Sequence, residues 1–372
     1  MRIGIMLRSW SEKGGIGVYA RNVTRELVAA DTDHEFVLLY DDPAYVGTFG
    51  DEPRVTELAL SAPGKILWDQ WAVPRACKRE GVDVLFHPKF TVPIFSPCPS
   101  VMVLHGAGWF MPEMKQFWGR WDLKYVRASM PVYCRRASKV LSVSEITREV
   151  FESELGIEPG KIRAVYFAPA RIFRRVEDTG AREAVRRKYS LPERFVLSLS
   201  GYTKGPRKNI GAVVGGFARH HGLTDHKLVV VGKDCDKFRG ELGIPDDGYG
   251  ADVVFPGYIE QEDLPAIYSM ADTFLYPSFV EAFPVPITEA LACGVPIVTS
   301  DANGLREVAG PAALYLEKSD EEHVARALGK VLTDAELRQE LSRKSLERSE
   351  RYSWEKCVEQ TLGALVEVAS AK

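Results

Sequence analysis

Short, wholly apolar strands alternate with helical stretches along almost the entire chain, and the alternation starts twice. Arg2–Leu7 reads as a strand, and Val18–Ala30 follows with helical spacing of Val18, Val23, Leu27 and Val28. Further strands are expected at Phe36–Tyr40, closed by Asp41-Asp42-Pro43, and at Val82–Phe86, Val101–His105 and Lys139–Val143. Strands without an alternating polar face are buried on both sides, which belongs to a parallel sheet covered by helices. The rhythm restarts at Arg194–Leu199 and continues through Lys227–Gly232, Val253–Phe255, Thr273–Tyr276 and Pro296–Ser300. The expected fold class is therefore α/β, with two Rossmann-like, doubly wound parallel-sheet domains facing a central cleft. Residues 1–168 and 191–353 are the expected domains. The charged stretch 169–190, with Pro169 and Gly180, is the expected linker. Trp354–Ala369 carries apolar residues at 354, 358, 362, 365 and 366, so 354–372 is expected to return as a helix to the first domain.

A length of 372 residues fits two domains at roughly 150 residues each. Forty-eight basic residues against fifty-one acidic ones leave a net charge of -3, which removes any global electrostatic case for a nucleic-acid partner. The six cysteines form no C-x-x-C pair, so neither a structural zinc site nor a disulfide scaffold is expected. The first apolar run is too short for a secretory segment, and no stretch approaches the roughly 20 apolar residues of a spanning helix. A cytoplasmic protein is expected. In such folds, ligand chemistry falls to the loops at the carboxyl ends of the strands.

Three loops carry it. In Gly14-Gly15-Ile16-Gly17, residues 15–20 match G-x-G-x-x-A, but Arg8–Lys13 separate them from the first strand. Dinucleotide binding and an anion held by backbone N–H groups at a helix start both remain open for this loop. Ser200–Asn209 places Lys204, Arg207 and Lys208 beside glycines, just ahead of a helix expected near Asn209, an arrangement suited to a diphosphate. The third loop, Tyr276–Pro296, holds Glu281 and Glu289. Pro286 suits a first helical position, which puts Glu289 on the first turn, where the helix dipole would hold it ionised. Two carboxylates so placed can accept hydrogen bonds from the hydroxyls of one polyol ligand.

At this point the chain resembles the retaining glycosyltransferases of family 4, of the GT-B type. Their E-x7-E spacing is that of Glu281 and Glu289, and Glu289-Ala290-Leu291-Ala292-Cys293-Gly294-Val295-Pro296 nearly repeats the family's second segment. Gly14–Gly17, His105, Ser142-Val143-Ser144, Arg207-Lys208, Asp301–Val308 and Tyr352-Ser353-Trp354 match in order along nearly the whole chain. The resemblance implies transfer of a hexosyl unit from a nucleoside-diphosphate sugar, held by the donor domain 191–353, to a glycan or lipid-linked acceptor held by the acceptor domain 1–168, with no metal and no cofactor.

By the same resemblance, Lys208, Arg207, Glu281 and His105 would be catalytic. Lys208 and Arg207 would neutralise the departing diphosphate, while Glu281 and His105 would meet the donor sugar. Glu289 would hold the ribose hydroxyls. Gly14, Gly15, Gly201, Tyr202, Lys204, Ala282, Phe283, Pro284 and Val285 would line the donor site, with Tyr258 and Ile259 at the base. The chain departs from the family pattern at Gly106, Tyr202, Ala282 and Pro284. Other readings left open are a sugar-nucleotide epimerase or hydrolase, a non-catalytic scaffold, and a nicotinamide oxidoreductase.

Residues 109–136 interleave aromatic and basic side chains. Phe117, Trp121 and Tyr125 stack at helical spacing, Arg120, Lys124 and Arg127 share another face, and Trp118 and Lys115 lie beside them. Such a helix is expected either to lie on the inner face of an anionic membrane or to pack on its own domain with a solvated basic side.

Overall fold

The computed structural model describes residues 1–12, 14–111, 118–202 and 207–371. The chain divides into two compact units, Met1–Phe167 with Ser353–Lys372, and Ala168–Tyr352.

The first unit is built on a seven-stranded sheet: β1 (Arg2–Met6), β2 (Glu35–Tyr40), β3 (Val55–Ala59), β4 (Val84–His87), β5 (Ser100–Leu104), β6 (Lys139–Ser142) and β7 (Ile162–Ala164). Its strand order is β3-β2-β1-β4-β5-β6-β7 and every pairing is parallel. The second unit holds six parallel strands: β8 (Phe195–Leu199), β9 (Lys227–Val231), β10 (Val253–Gly257), β11 (Thr273–Tyr276), β12 (Ile297–Ser300) and β13 (Ala313–Leu316). Their order is β10-β9-β8-β11-β12-β13. In each sheet the order reverses beside the first strand, between β1 and β4 and between β8 and β11. Ligands of doubly wound sheets bind at the carboxyl ends of such strands.

The central strands are apolar because both faces are covered. Ile3, Ile5, Leu38, Leu85 and Phe86 in the first unit, and Val196, Leu197, Val229, Phe274 and Val298 in the second, are wholly buried. Each such side chain contributes roughly 1.5–3 kcal/mol by leaving water. Sequence patterning does not reveal three of the edge strands: Thr56 and Glu57 interrupt β3, Arg163 interrupts β7, and β13 is apolar but only four residues long. Helix Gly15–Ala29 begins at Gly15, three residues ahead of the expected start.

The stretch 169–190 lies within the second unit and includes helix Thr179–Lys188. Asp178 caps that helix by accepting from the N–H groups of Gly180 and Ala181, and the Tyr189 hydroxyl beyond it donates to Asp263 at 2.7 Å. The residues expected to form a linker are thus anchored by a capped helix and a side-chain tether. Helix Trp354–Ser370 belongs to the first unit, where Trp354 meets the rings of Tyr19 and Phe167, and Lys139 pairs with Glu367 at 2.5 Å.

Candidate functional site

In the second unit, the loops after β8 and β11 flank the reversal of strand order and converge on one carboxylate. Glu281 Oε1 accepts from Lys208 Nζ at 2.6 Å, from the Tyr276 hydroxyl at 3.0 Å and from the Ser278 hydroxyl at 3.0 Å. Glu281 Oε2 accepts from Arg207 Nη1 at 2.8 Å. Lys208 Nζ also contacts the Tyr276 hydroxyl and lies over its ring. The loops are tied through backbone as well, since Phe279 N–H donates to the Arg207 carbonyl at 2.9 Å. With Oε1 saturated, the remaining lone-pair capacity of the carboxylate is on Oε2.

Two cations face one carboxylate here, which leaves a surplus of positive charge at the carboxyl edge of the sheet. Burial pushes the Lys208 ammonium below its ordinary pKa and the neighbouring Arg207 adds to that, while Glu281 opposes it. An anion brought to this point would relieve the repulsion between the two cations. Tyr276 and Ser278 are the members that sequence reasoning passed over. They read as a strand end and a loop serine, and their hydroxyls gain a role only once β11 and the loop are folded against Lys208.

Glu289 corrects an expectation. Helix Val285–Cys293 places Pro286 second and Glu289 fifth, on the second turn, with no acid in the first. Among the described residues its hydrogen-bond donor is the Tyr268 hydroxyl at 2.9 Å, and burial pushes its pKa up to about 7. The helix dipole, which fades within the first turn, does not hold this carboxylate ionised. Glu281 and Glu289 are both on this side of the unit, but Glu281 is surrounded by cations and Glu289 by a tyrosine.

The other expected donor residues fall as follows. Phe283 is buried, with its ring edge-on to Tyr352, and Pro284 precedes the helix as its N-cap residue. Ala282 and Val285 are partly exposed on either side of them. Gly201 follows β8, and Tyr202 N–H donates to the Lys233 carbonyl at 2.8 Å while its ring packs on Phe238. Tyr258 is 64% exposed after Gly257, whose φ is +83°, and Ile259 is buried. Lys204 lies outside the described residues.

Gly304 is a further participant. A Cβ there would sit 2.5 Å from the carbonyl oxygens of Glu281 and Ala282, and Gly304 N–H donates to the Glu281 carbonyl at 3.1 Å. The glycine lets helix Asn303–Ala309 abut the loop backbone.

In the first unit, Gly14 is the N-cap and Gly15 the first residue of helix Gly15–Ala29, with open space around both. The preceding loop is held by Arg21 Nη1, which donates to the carbonyls of Trp10 and Glu12 at 2.5 and 2.9 Å. His105, just past β5, donates from Nε2 to the Pro88 carbonyl at 2.9 Å. Burial lowers its pKa to about 4, so at neutral pH it is uncharged and offers Nδ1 as an acceptor.

Helix Arg120–Arg136 buries Val126, Met130, Tyr133 and Cys134. Trp121 is 81% exposed, Tyr125 is exposed, Trp118 is 37% exposed, and Arg120, Lys124 and Arg127 are solvent-facing. Lys124 lies over the Trp121 ring, and Arg127 Nε donates to the Trp109 carbonyl at 3.0 Å. Both the basic residues and the Trp121/Tyr125 pair are therefore on the uncovered side. Lys115 and Phe117 lie outside the described residues. Among the described residues, no helix is long and apolar enough to cross a membrane.

Comparison with known proteins finds family matches in both units. Residues 13–167 match the family described as Glycosyltransferase Family 4, and residues 182–348 match Glycosyl transferases group 1. The chain is 41% identical over 108 residues to an O-antigen chain mannosyltransferase B of Escherichia coli, a match covering 29% of this chain and 28% of that protein. The chain thus spans about a quarter of the length of that curated relative. Among solved structures, a sucrose-phosphate synthase from Thermosynechococcus elongatus superposes with a TM-score of 0.78 at 19% identity, over 100% of both chains. The Anabaena protein HepE, in complex with UDP and glucose, superposes at 0.75 with 16% identity over 99% of this chain and 100% of its own. With both sheets, both family matches and the E-x7-E loop in place, the chain belongs to the group 1 (family 4) glycosyltransferases of the GT-B fold.

Proposed function

We propose that this chain transfers a hexosyl unit from a nucleoside-diphosphate sugar to a hydroxyl of a growing polysaccharide or glycolipid, with retention of anomeric configuration. The observation that carries the proposal is the pair Arg207 and Lys208 gathered on Glu281, with one positive charge in excess. As the glycosidic bond breaks, its electron pair passes to the β-phosphate oxygen, and negative charge grows there. Fixed cations stabilise that charge more in the transition state than in the ground state, and they do so without a metal ion. The acceptor hydroxyl attacks the same face of the sugar and passes its proton to the departing phosphate. Glu281 Oε2 and Glu289 accept from hydroxyls of the donor sugar and the ribose. The O-antigen mannosyltransferase likeness supports a polysaccharide product, and HepE with UDP and glucose supports a nucleotide-sugar donor.

A thermal-shift screen of nucleoside diphosphates and their sugars tests this reading. A ligand at about 100 times its dissociation constant adds roughly 2.7 kcal/mol of stability. One nucleotide-sugar should raise the melting temperature, and Lys208→Ala should weaken that shift and lower kcat/KM by about 100-fold or more. A folded protein that no nucleotide stabilises refutes the reading, and a product formed without acceptor turns it into a hydrolase or epimerase.

The uncovered face of helix Arg120–Arg136 supports a further part of the proposal, that the enzyme works on the inner surface of an anionic membrane. Vesicles containing anionic lipid should carry the protein upward in a flotation gradient, and Trp118→Ala with Trp121→Ala should reduce the floated fraction severalfold. Equal flotation of both proteins, or of neither, ends that part.

A further inference from the structure

The turn that opens helix Gly15–Ala29 has no side-chain cap. Gly14 is its N-cap residue, and open space surrounds both Gly14 and Gly15. The first N–H groups of a helix have no partner within it, and without a cap they are available to an anion. What fixes their direction is the loop that leads in from β1.

That loop is pinned at both ends. At its start, Arg8 Nε and Nη2 donate to the two oxygens of Asp69, each at 3.0 Å, and the side chains are only 8% and 6% exposed. At its end, Glu12 is held from three directions. Its N–H donates to the Ser9 carbonyl at 3.1 Å, its carbonyl accepts from Arg21 Nη1, and its carboxylate pairs with Lys89. The Glu12 carbonyl lies so near the first helical turn that a Cβ at Gly17 would collide with it. Glu12 and the helix start therefore move together.

Lys89 is the rigid partner. It follows β4, its carbonyl accepts from Val103 N–H of β5 at 3.2 Å, and its side chain is 10% exposed against 35% for Glu12. Among the described residues, Glu12 is the acid paired with it, from 77 positions away in the chain. The residue before it, Pro88, accepts from His105 Nε2. One strand end thus anchors both His105 and the loop ahead of Gly14.

We propose that Lys89 is a positioning residue, which through Glu12 aims the Gly14-Gly15 turn at the phosphates of the sugar nucleotide. The proposal rests on the transferase reading for the ligand and on the loop contacts for the positioning. An acid two residues ahead of such a turn repels a phosphate on charge alone. If the pair only cancelled that charge, removing the acid would tighten binding. As the handle by which Lys89 holds the turn, Glu12 weakens binding when removed.

The test compares the full chain with Lys89→Met, with Glu12→Gln, with the two combined, and with the exchanged pair Glu12→Lys and Lys89→Glu. Hydrogen exchange reads the turn through Val18 N–H, which bonds the Gly14 carbonyl at 3.1 Å. Calorimetric titration with UDP-glucose and GDP-mannose reads the ligand. Each single variant should speed Val18 exchange and weaken the bound sugar nucleotide by about tenfold or more, at unchanged stoichiometry. The combined variant should be no worse than Lys89→Met, and the exchanged pair should return both readings to within about threefold of wild type. Partial unfolding would instead lower the stoichiometry and leave the dissociation constant alone. Should Lys89→Met fail to fold, Glu12→Gln at the more exposed partner carries the same prediction. Val18 exchange that ignores the pair, or Glu12→Gln binding as tightly as wild type, overturns the positioning. Exchange that follows the pair in a chain that binds neither sugar nucleotide upholds the positioning of the turn and refutes the transferase reading instead.

Discussion

Glu281 and Glu289 differ little on paper, and the side chains folded around them set them apart. Glu281 accepts from two cations and two hydroxyls, and Glu289 accepts from one tyrosine hydroxyl in a buried setting that raises its pKa to about 7. A carboxyl whose folded pKa lies above its ordinary 4.5 retains its proton longer in the folded chain than in the unfolded one. Its contribution to stability is full below about 4.5, falls as pH rises to about 7, and is level above. Glu289→Gln should remove that fall, so melting temperatures of wild type and variant should diverge in slope between those two pH values and run parallel above 7. If Glu289 holds the ribose as proposed, nucleotide-sugar affinity should also rise with pH through about 7 in wild type and stay flat in the variant, because ionisation frees both carboxylate oxygens to accept. The acidic pair and both cations were legible as a motif. The hydroxyls of Tyr276, Ser278 and Tyr268 were not: Tyr276 and Ser278, near Glu281 in sequence, read as a strand end and a loop serine until the Arg207-Lys208 loop folds against them, and Tyr268 reaches Glu289 from a separate helix.

At the scale of elements, the loop between β11 and helix Val285–Cys293 is held from both sides. Arg207 grips it through backbone and side chain, and helix Asn303–Ala309 closes on it through Gly304. Gly304→Ala puts a methyl 2.5 Å from two carbonyl oxygens, so either the helix or the loop has to move. Overpacking of this kind costs about 1–3 kcal/mol. The variant should remain folded with a lower melting temperature and lose at least tenfold in nucleotide-sugar affinity by thermal shift. Unchanged affinity would mean that helix Asn303–Ala309 does not position the Glu281 loop. The interior strands were legible because burial on both faces demands unbroken apolar runs. The edge strands β3 and β7 were not, because Thr56, Glu57 and Arg163 interrupt their apolar pattern. Helix Arg120–Arg136 was recognisable from its spacing, yet which stripe it buries depended on the sheet beneath it, and Val126, Met130 and Tyr133 won over Trp121 and Tyr125.

For the whole molecule, the repeated alternation of strands and helices was sufficient to read two parallel sheets, because period and burial are local properties of the chain. The E-x7-E spacing and the Arg207-Lys208 pair were likewise sufficient for the family, since they sit at loop ends that the alternation itself locates. Tertiary structure alone decided that residues 169–190 join the second unit through a capped helix, that Glu289 is shielded from cations, and that Arg8 and Asp69 form a buried ion pair. The physical reason is common to all three. Secondary structure follows from neighbours along the chain, whereas charge state, hydrogen-bond occupancy and enclosed volume are set by groups that only folding brings within a few ångströms.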